Sequence, residues 1–168
     1  VEYRYQLIQD SPSGDVICGW RTAGLQTAVT LNSLSLIDGK SYYFALKAKY
    51  ITGKWSRIGY SNGITVDITK PIIRNLTRCP QYIGDSLIFK ARIRDNISGI
   101  EQVSLKCGEN NYSMAYDLMT GIANVEIPAV QEPQTINYII FAIDKARNIK
   151  ETDTYNLIIE KPYVYIED

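Results

Sequence analysis

The chain alternates. Along residues 41–49, Tyr42, Phe44, Leu46 and Ala48 fall on one side of a period of two, and Tyr43, Lys47 and Lys49 fall on the other. That period belongs to a strand with one buried and one wet face, not to a helix. The strand sits within the longer stretch LIDGKSYYFALKAKYITGKWSRIGYSNGITVDITKP, residues 36–71. Asp38-Gly39 marks a tight turn before it and Gly53-Lys54-Trp55 turns the chain after it. Residues 58–66 carry another strand, interrupted at Ser61-Asn62-Gly63, and Pro71 stops the run. Leu36, six residues before Tyr42, has the spacing of a tyrosine corner, in which the hydroxyl bonds back to backbone upstream.

The same alternation recurs. Tyr3, Tyr5 and Leu7 interleave with Glu2, Arg4 and Gln6, and Val29, Leu31 and Leu34 mark a strand over residues 27–36. Leu87, Phe89, Ala91 and Ile93 interleave with Ile88, Lys90, Arg92 and Arg94. One strand is expected over residues 112–119 and another over 122–127, ended by Pro128. Ile136, Tyr138, Ile140 and Ala142 form a third, and a last strand runs over residues 152–160. Short strands separated by turn clusters, with no helical period, predict an all-β chain of two tandem immunoglobulin-like β-sandwiches. The expected domains are residues 1–69 and 70–160, with residues 161–168 a terminal strand or the start of a further module.

Composition narrows the function. The 168 residues carry 18 Lys and Arg against 18 Asp and Glu, a formal net charge of zero, so no overall field points to nucleic acid. The longest apolar run, residues 136–143, is far short of the roughly 20 residues that span a bilayer, so no membrane insertion is expected. There is no histidine, which removes Ser-His-Asp and Cys-His catalysis and the commonest metal ligand. Cys18, Cys79 and Cys107 lack close paired spacing, so a zinc site is not expected. Glu101 and Asp117 carry no spacing that distinguishes a glycosidase from a solvated surface. The chain is therefore expected not to be an enzyme.

A set of motifs carries a family resemblance. Tyr3-x-Tyr5, Gly19-Trp20, Leu34-x-Leu36-x-x-Gly39-Lys40-x-Tyr42-Tyr43, Gly53-x-Trp55-Ser56 and Ser61-Asn62-Gly63-Ile64-x-Val66-Asp67 occur in order. They resemble fibronectin type III-like modules, found in tandem in large bacterial and archaeal surface proteins. Such modules normally have two more strands before the Tyr-x-Tyr strand, so the resemblance implies a first sandwich lacking its N-terminal strands. Asp95-x-x-Ser98-Gly99-Ile100 with Tyr138, Ala142, Asp144 and Asn148 resembles immunoglobulin-like repeats of prokaryotic surface proteins. Those have Ala-Gly-Asn where this chain has Ala146-Arg147-Asn148.

Lys70-Pro71 is echoed at Lys161-Pro162, each after a last strand and before an apolar stretch. Measured by that interval, the first module is short by about two strands at its front. Two explanations stand: a fragment of a longer tandem array, or strand exchange, in which a neighbour's strand fills the exposed edge and groove. Tyr163, Val164, Tyr165 and Ile166 have the β-forming character of a strand donor. Head-to-tail exchange does not close and so makes filaments.

Four constellations could carry chemistry. Asp67, Asp95, Asp144 and Asn148 are expected near the domain junction and offer oxygen ligands for Ca²⁺; the competing reading is that each Asp opens a turn. Asn75, Asn96 and Asn111 lie in N-x-[ST] patterns, hence candidate glycosylation sites. Cys79 and Cys107 are a candidate disulfide, leaving Cys18 free. Trp20 and Trp55 are candidate sugar-stacking residues, with core or edge positions as the simpler reading.

Together these point to a non-enzymatic extracellular module of a cell surface. It would be a structural or adhesive spacer, or a filament subunit assembled by strand exchange. Its partners would be neighbouring domains, other copies of itself, or surface glycans or proteins. The rival reading is an accessory or carbohydrate-binding domain of a secreted hydrolase.

Overall fold

A computed structural model describes residues 1–162. The described residues form strands and turns with no helix, and the chain is of the immunoglobulin-like β-sandwich class. It divides into two compact units, Val1–Ile68 and Thr69–Asp168.

The first unit contains β1 (Glu2–Gln9), β2 (Val16–Gly24), β3 (Ser41–Lys49), β4 (Gly59–Tyr60) and β5 (Ile64–Thr65). They make one sheet ordered β2-β1-β3-β4, with β5 also on β3. The antiparallel register of β1 and β3 places Tyr3 opposite Ala48, Tyr5 opposite Leu46, Leu7 opposite Phe44 and Gln9 opposite Tyr42. One face of the sheet is therefore apolar and aromatic, as the alternation requires. Leu7, Cys18 and Tyr42 form the core, with Leu31, Leu34, Phe44 and Val66 packed on it. Between β4 and β5, Gly63 has φ +80° under the Tyr43 ring; a Cβ there would lie 2.5 Å from a ring carbon, so only glycine fits.

The tyrosine corner forms. The Tyr42 hydroxyl accepts from the Ile37 amide at 2.9 Å and donates to Gln9 Oε1 at 3.1 Å. The strand expected over residues 27–36 does not form; residues 26–40 are irregular, with Ala28 and Val29 beside the Tyr3 end of the apolar face and Leu31 and Leu34 packed at its Tyr42 end. Alternating residues make a strand only if a neighbouring strand takes their backbone groups. Among the described residues the first unit holds no second sheet, so none is available.

The second unit is a closed sandwich. Its strands are β6 (Ile72–Asn75), β7 (Gln81–Tyr82), β8 (Leu87–Arg94), β9 (Ile100–Cys107), β10 (Asn110–Ser113), β11 (Ala115–Asp117), β12 (Ile122–Ile127), β13 (Gln134–Asp144), β14 (Ile149–Glu151) and β15 (Tyr155–Glu160). One sheet runs β10-β9-β13-β15-β7 with β14 on β13, and the other runs β11-β12-β8-β6. Leu87, Phe89, Ala91 and Ile93 of β8 meet Leu105, Tyr138, Ile140, Leu157 and Ile159 from the facing sheet. Burying each large side chain of this set contributes roughly 1.5–3 kcal/mol. The single strand expected over residues 112–119 is two. β10 pairs with β9 in one sheet, β11 pairs with β12 in the other, and the buried Met114 lies where the chain crosses between them.

Candidate functional site

The apolar face of the first unit is only half covered. Leu31, Leu34 and Val66 pack at its Tyr42 end, where Tyr5 and Phe44 also meet edge to face at 6.2 Å. At the Tyr3 end a cleft of about 520 Å³ stays open, lined by Tyr3, Tyr5, Ala23, Ala28, Val29, Leu46 and Ala48 among others. Leu46 belongs to an interior strand of the sheet yet is 47% exposed. A leucine at such a position is normally covered, because leaving it wet forfeits most of its burial energy. Thr27, Ala28 and Val29 of the strandless segment line one side of the cleft, where a paired strand would be expected. The arrangement is a half-sandwich whose inner face is accessible, and among the described residues its lining holds no carboxylate.

The opposite face is a ladder of cations and indoles. Lys47 Nζ lies 4.2 Å from the Trp20 ring centre and 5.2 Å from that of Trp55; Arg4 Cζ is 4.9 Å and Lys49 Nζ 5.8 Å from Trp55. Glu2 joins Arg4 at 3.3 Å and Lys49 at 3.9 Å. Trp20 lies on the edge strand β2 and Trp55 bridges Lys49 at the end of β3, and each indole has at least one cation near its ring.

In the second unit, Asp95 and Asp144 carry carboxylate oxygens within 4.8 Å of each other. Each is also a turn cap. Asp95 Oδ1 accepts from the Ile97 amide at 3.1 Å and the Gly99 amide at 2.7 Å. The fully buried Asp144 accepts from the Asn148 amide and from Asn148 Nδ2, both at 2.8 Å. The tight turn between them puts Arg147 at φ +73°, the position held by glycine in the repeats that this segment resembles. Asp67 belongs to the end of the first unit.

The candidate disulfide is corrected: Cys18, Cys79 and Cys107 are all free thiols. Cys107 ends β9 opposite Tyr138 of β13, whereas Cys79 Sγ accepts from the Ile158 amide of β15 at 3.4 Å. β13 and β15 thus intervene, a separation of about two strand spacings that no disulfide spans. Burial pushes the Cys107 thiol above its usual pKa, which makes it less reactive. Of the three sequon asparagines, Asn96 and Asn111 are exposed. Asn75 is half-buried: its Nδ2 donates to the Tyr138 hydroxyl at 2.7 Å and its Oδ1 accepts from the Thr77 amide at 3.0 Å. Tyr163, Val164, Tyr165 and Ile166 lie outside the described residues.

No family model matches the chain, and no curated protein matches it. Among solved structures it is similar to the fibronectin(III)-like modules of Clostridium thermocellum CbhA, at 14% identity over 98% of this chain and 83% of that one, with a TM-score of 0.48. A tetra-tandem repeat from the extending region of a large adhesion protein aligns with 94% of this chain and 41% of its own length, at 14% identity and a TM-score of 0.47. The SrpA adhesin of Streptococcus sanguinis aligns over 56% of this chain at 19% identity and a TM-score of 0.45; the chain spans 59% of that adhesin.

Proposed function

We propose that the chain is a non-enzymatic structural or adhesive module outside the cell, and that its first unit is a strand acceptor. The open cleft over Tyr3, Tyr5, Leu46 and Ala48 carries this reading. An inner sheet face without its facing sheet is the form that takes up a β-strand from elsewhere, because the strand both covers apolar area and completes the pairing of a bare segment. The donor is residues 163–166 of another copy, Tyr-Val-Tyr-Ile, whose residue types have the β-forming character a donor strand needs. Head-to-tail capture of this kind propagates as a filament.

The test uses the full chain and a synthetic peptide of residues 161–168. Negative-stain microscopy and gel filtration over a concentration series should show linear oligomers, and the peptide should raise the Tm of the first unit. Leu46→Lys, a change at a half-exposed position, should abolish both effects while leaving the second unit intact. Monomers at every concentration together with a Tm indifferent to the peptide would overturn the reading.

A Ca²⁺ site is proposed separately for the second unit, at Asp95 and Asp144. The closeness of the two carboxylates supports it.

A further inference from the structure

Equal numbers of acids and bases hide an uneven distribution. On β8 the residues facing away from the core are Ile88, Lys90, Arg92 and Arg94. Lys90, Arg92 and Arg94 therefore stand in a row about 6.6 Å apart along one strand. The register of β6 adds Arg74 directly opposite Arg92. Like charges directly opposite on neighbouring strands repel, an arrangement that a fold does not adopt for its own stability. Among the described residues, no carboxylate stands directly opposite them on the neighbouring strands. On the other flank β12 places Ile122 opposite Arg92 and Asn124 opposite Lys90, both uncharged. Asp117, at the far edge of this sheet, has its carboxylate oxygens on the Met119 amide and the Thr120 hydroxyl, at 2.8 and 2.7 Å. Glu126 lies opposite Ile88, diagonal to Lys90 at the end of the row. Among the described residues none of these four cations is in an ion pair. Arg92 Nε is buried and has no hydrogen-bond partner, a donor that the protein itself leaves unsatisfied.

The row runs into a cleft at its Lys90 end. This cleft, of about 520 Å³, is lined by Leu76, Arg78, Gln81, Tyr82, Ile88 and Lys90 among others. Its wall is fixed, because the Gln81 side chain donates to the Ile88 carbonyl at 2.7 Å and accepts from the Ile88 amide at 2.8 Å. Arg78 and Lys90 carry positive charge into it, against the single exposed carboxylate of Asp85 on the same lining, and Tyr82 offers a partly exposed ring.

We infer that the outer face of β6 and β8, with the cleft beside Lys90, binds a linear anionic polysaccharide. The guanidinium groups of Arg74, Arg92 and Arg94 suit carboxylate or sulfate oxygens arriving in a plane. Tyr82 suits the apolar face of a sugar ring. The length of the row favours a polymer strand over a surface or a duplex: four cations along one narrow track, in a chain of zero net charge, supply neither the broad field of a membrane-binding face nor that of a duplex-binding one. The inference rests on the proposed function only for the extracellular setting in which such polymers are met. It does not require strand capture, so a strictly monomeric protein that binds the polymer would fail the one and support the other.

The experiment is affinity electrophoresis and titration calorimetry of the full chain with polygalacturonate, dextran sulfate and uncharged dextran, each at low and at physiological salt. A single-stranded oligonucleotide and anionic phospholipid vesicles are run beside them. The anionic polysaccharides should retard the protein in a salt-dependent way and uncharged dextran should not. The exposed-position variant Arg74→Gln/Lys90→Gln/Arg94→Gln should bind at least roughly tenfold more weakly. Arg21→Gln/Lys54→Gln/Arg57→Gln, an equal charge change in the first unit, should bind as the parent does. Circular dichroism confirms that both variants are folded. Retardation undiminished in the first variant, no retardation by either anionic polysaccharide at low salt, or tighter binding to the oligonucleotide or the vesicles would each overturn the inference.

Discussion

The hydroxyl of Tyr42 holds the backbone amide of Ile37 at 2.9 Å and so pins the turn that leads into the central strand of the first unit. The same hydroxyl donates to Gln9 Oε1 at 3.1 Å, which ties that turn to β1 as well. Tyr42→Phe keeps the buried ring and leaves both partners unsatisfied. The expected cost is about 1–2 kcal/mol, which for a unit this small is several degrees in Tm. Calorimetry that resolves the two units should show the loss in the first transition alone. A shift below about one degree would mean that water satisfies both groups.

Arg147 occupies a left-handed backbone conformation, φ +73°, at a position with no special side-chain need for it. Its guanidinium reaches Glu101 at 3.1 Å but is three-quarters exposed, so the ion pair is a minor term. Arg147→Gly and Arg147→Ala both lose that pair, and only the glycine relieves the backbone. The glycine variant should be the more stable of the two by about 1 kcal/mol in denaturant titration. Equal midpoints would show that the turn carries no strain.

Acid should weaken both units through exposed carboxylates. Asp10 is held below its usual 3.8 by a hydrogen bond from the Lys40 ammonium, and then by one from the Gln9 amide. Asp117 is held below 3.8 by the Thr120 hydroxyl and the Met119 amide. A lowered folded-state pKa stabilises at pH above the unfolded value and is lost as pH falls through the folded one. The Tm of each unit should therefore drop as pH is taken below about 4. Asp10→Asn should flatten the response of the first unit, and Asp117→Asn that of the second. At the other extreme the same contact raises the Lys40 pKa above 10.5, so its contribution is present below that value and is lost as pH climbs through the raised one. Added salt should shrink the Asp10–Lys40 effect, since the pair faces solvent.

Asp95 and Asp144 give the cation proposal a direct measurement. Millimolar Ca²⁺ should raise the Tm of the second unit, a chelator should reverse the rise, and Asp144→Asn should remove the response. An identical Tm with Ca²⁺ and with chelator would leave the two carboxylates as turn caps, the role that their hydrogen bonds to Gly99 and Asn148 already fill.

Local chemistry was readable along the chain. Period-two runs located β1, β3, β8 and β13, because alternation is written into consecutive side chains. The Leu36-to-Tyr42 spacing identified the corner, because turn and tyrosine are only a few residues apart. What could not be read was decided by pairing between distant segments. Residues 27–36 carry Val29 and Leu31 in one phase of a period of two and Leu34 and Leu36 in the other, and they stay irregular with no neighbouring strand among the described residues. Cys79 and Cys107 looked bridgeable until two strands came between them. The sequence marks Asn75 as a sequon, but its bond to the Tyr138 hydroxyl, 63 residues away, comes only from tertiary packing. The open cleft exists because the first unit has one sheet to bury an aromatic face that needs two. The basic row shows the same division: Lys90, Arg92 and Arg94 follow from the sequence of one strand, but Arg74 joins them only through the register of β6 on β8. Backbone pairing and burial join residues far apart in the chain, and the order of side chains along a strand does not encode which strand will lie beside it.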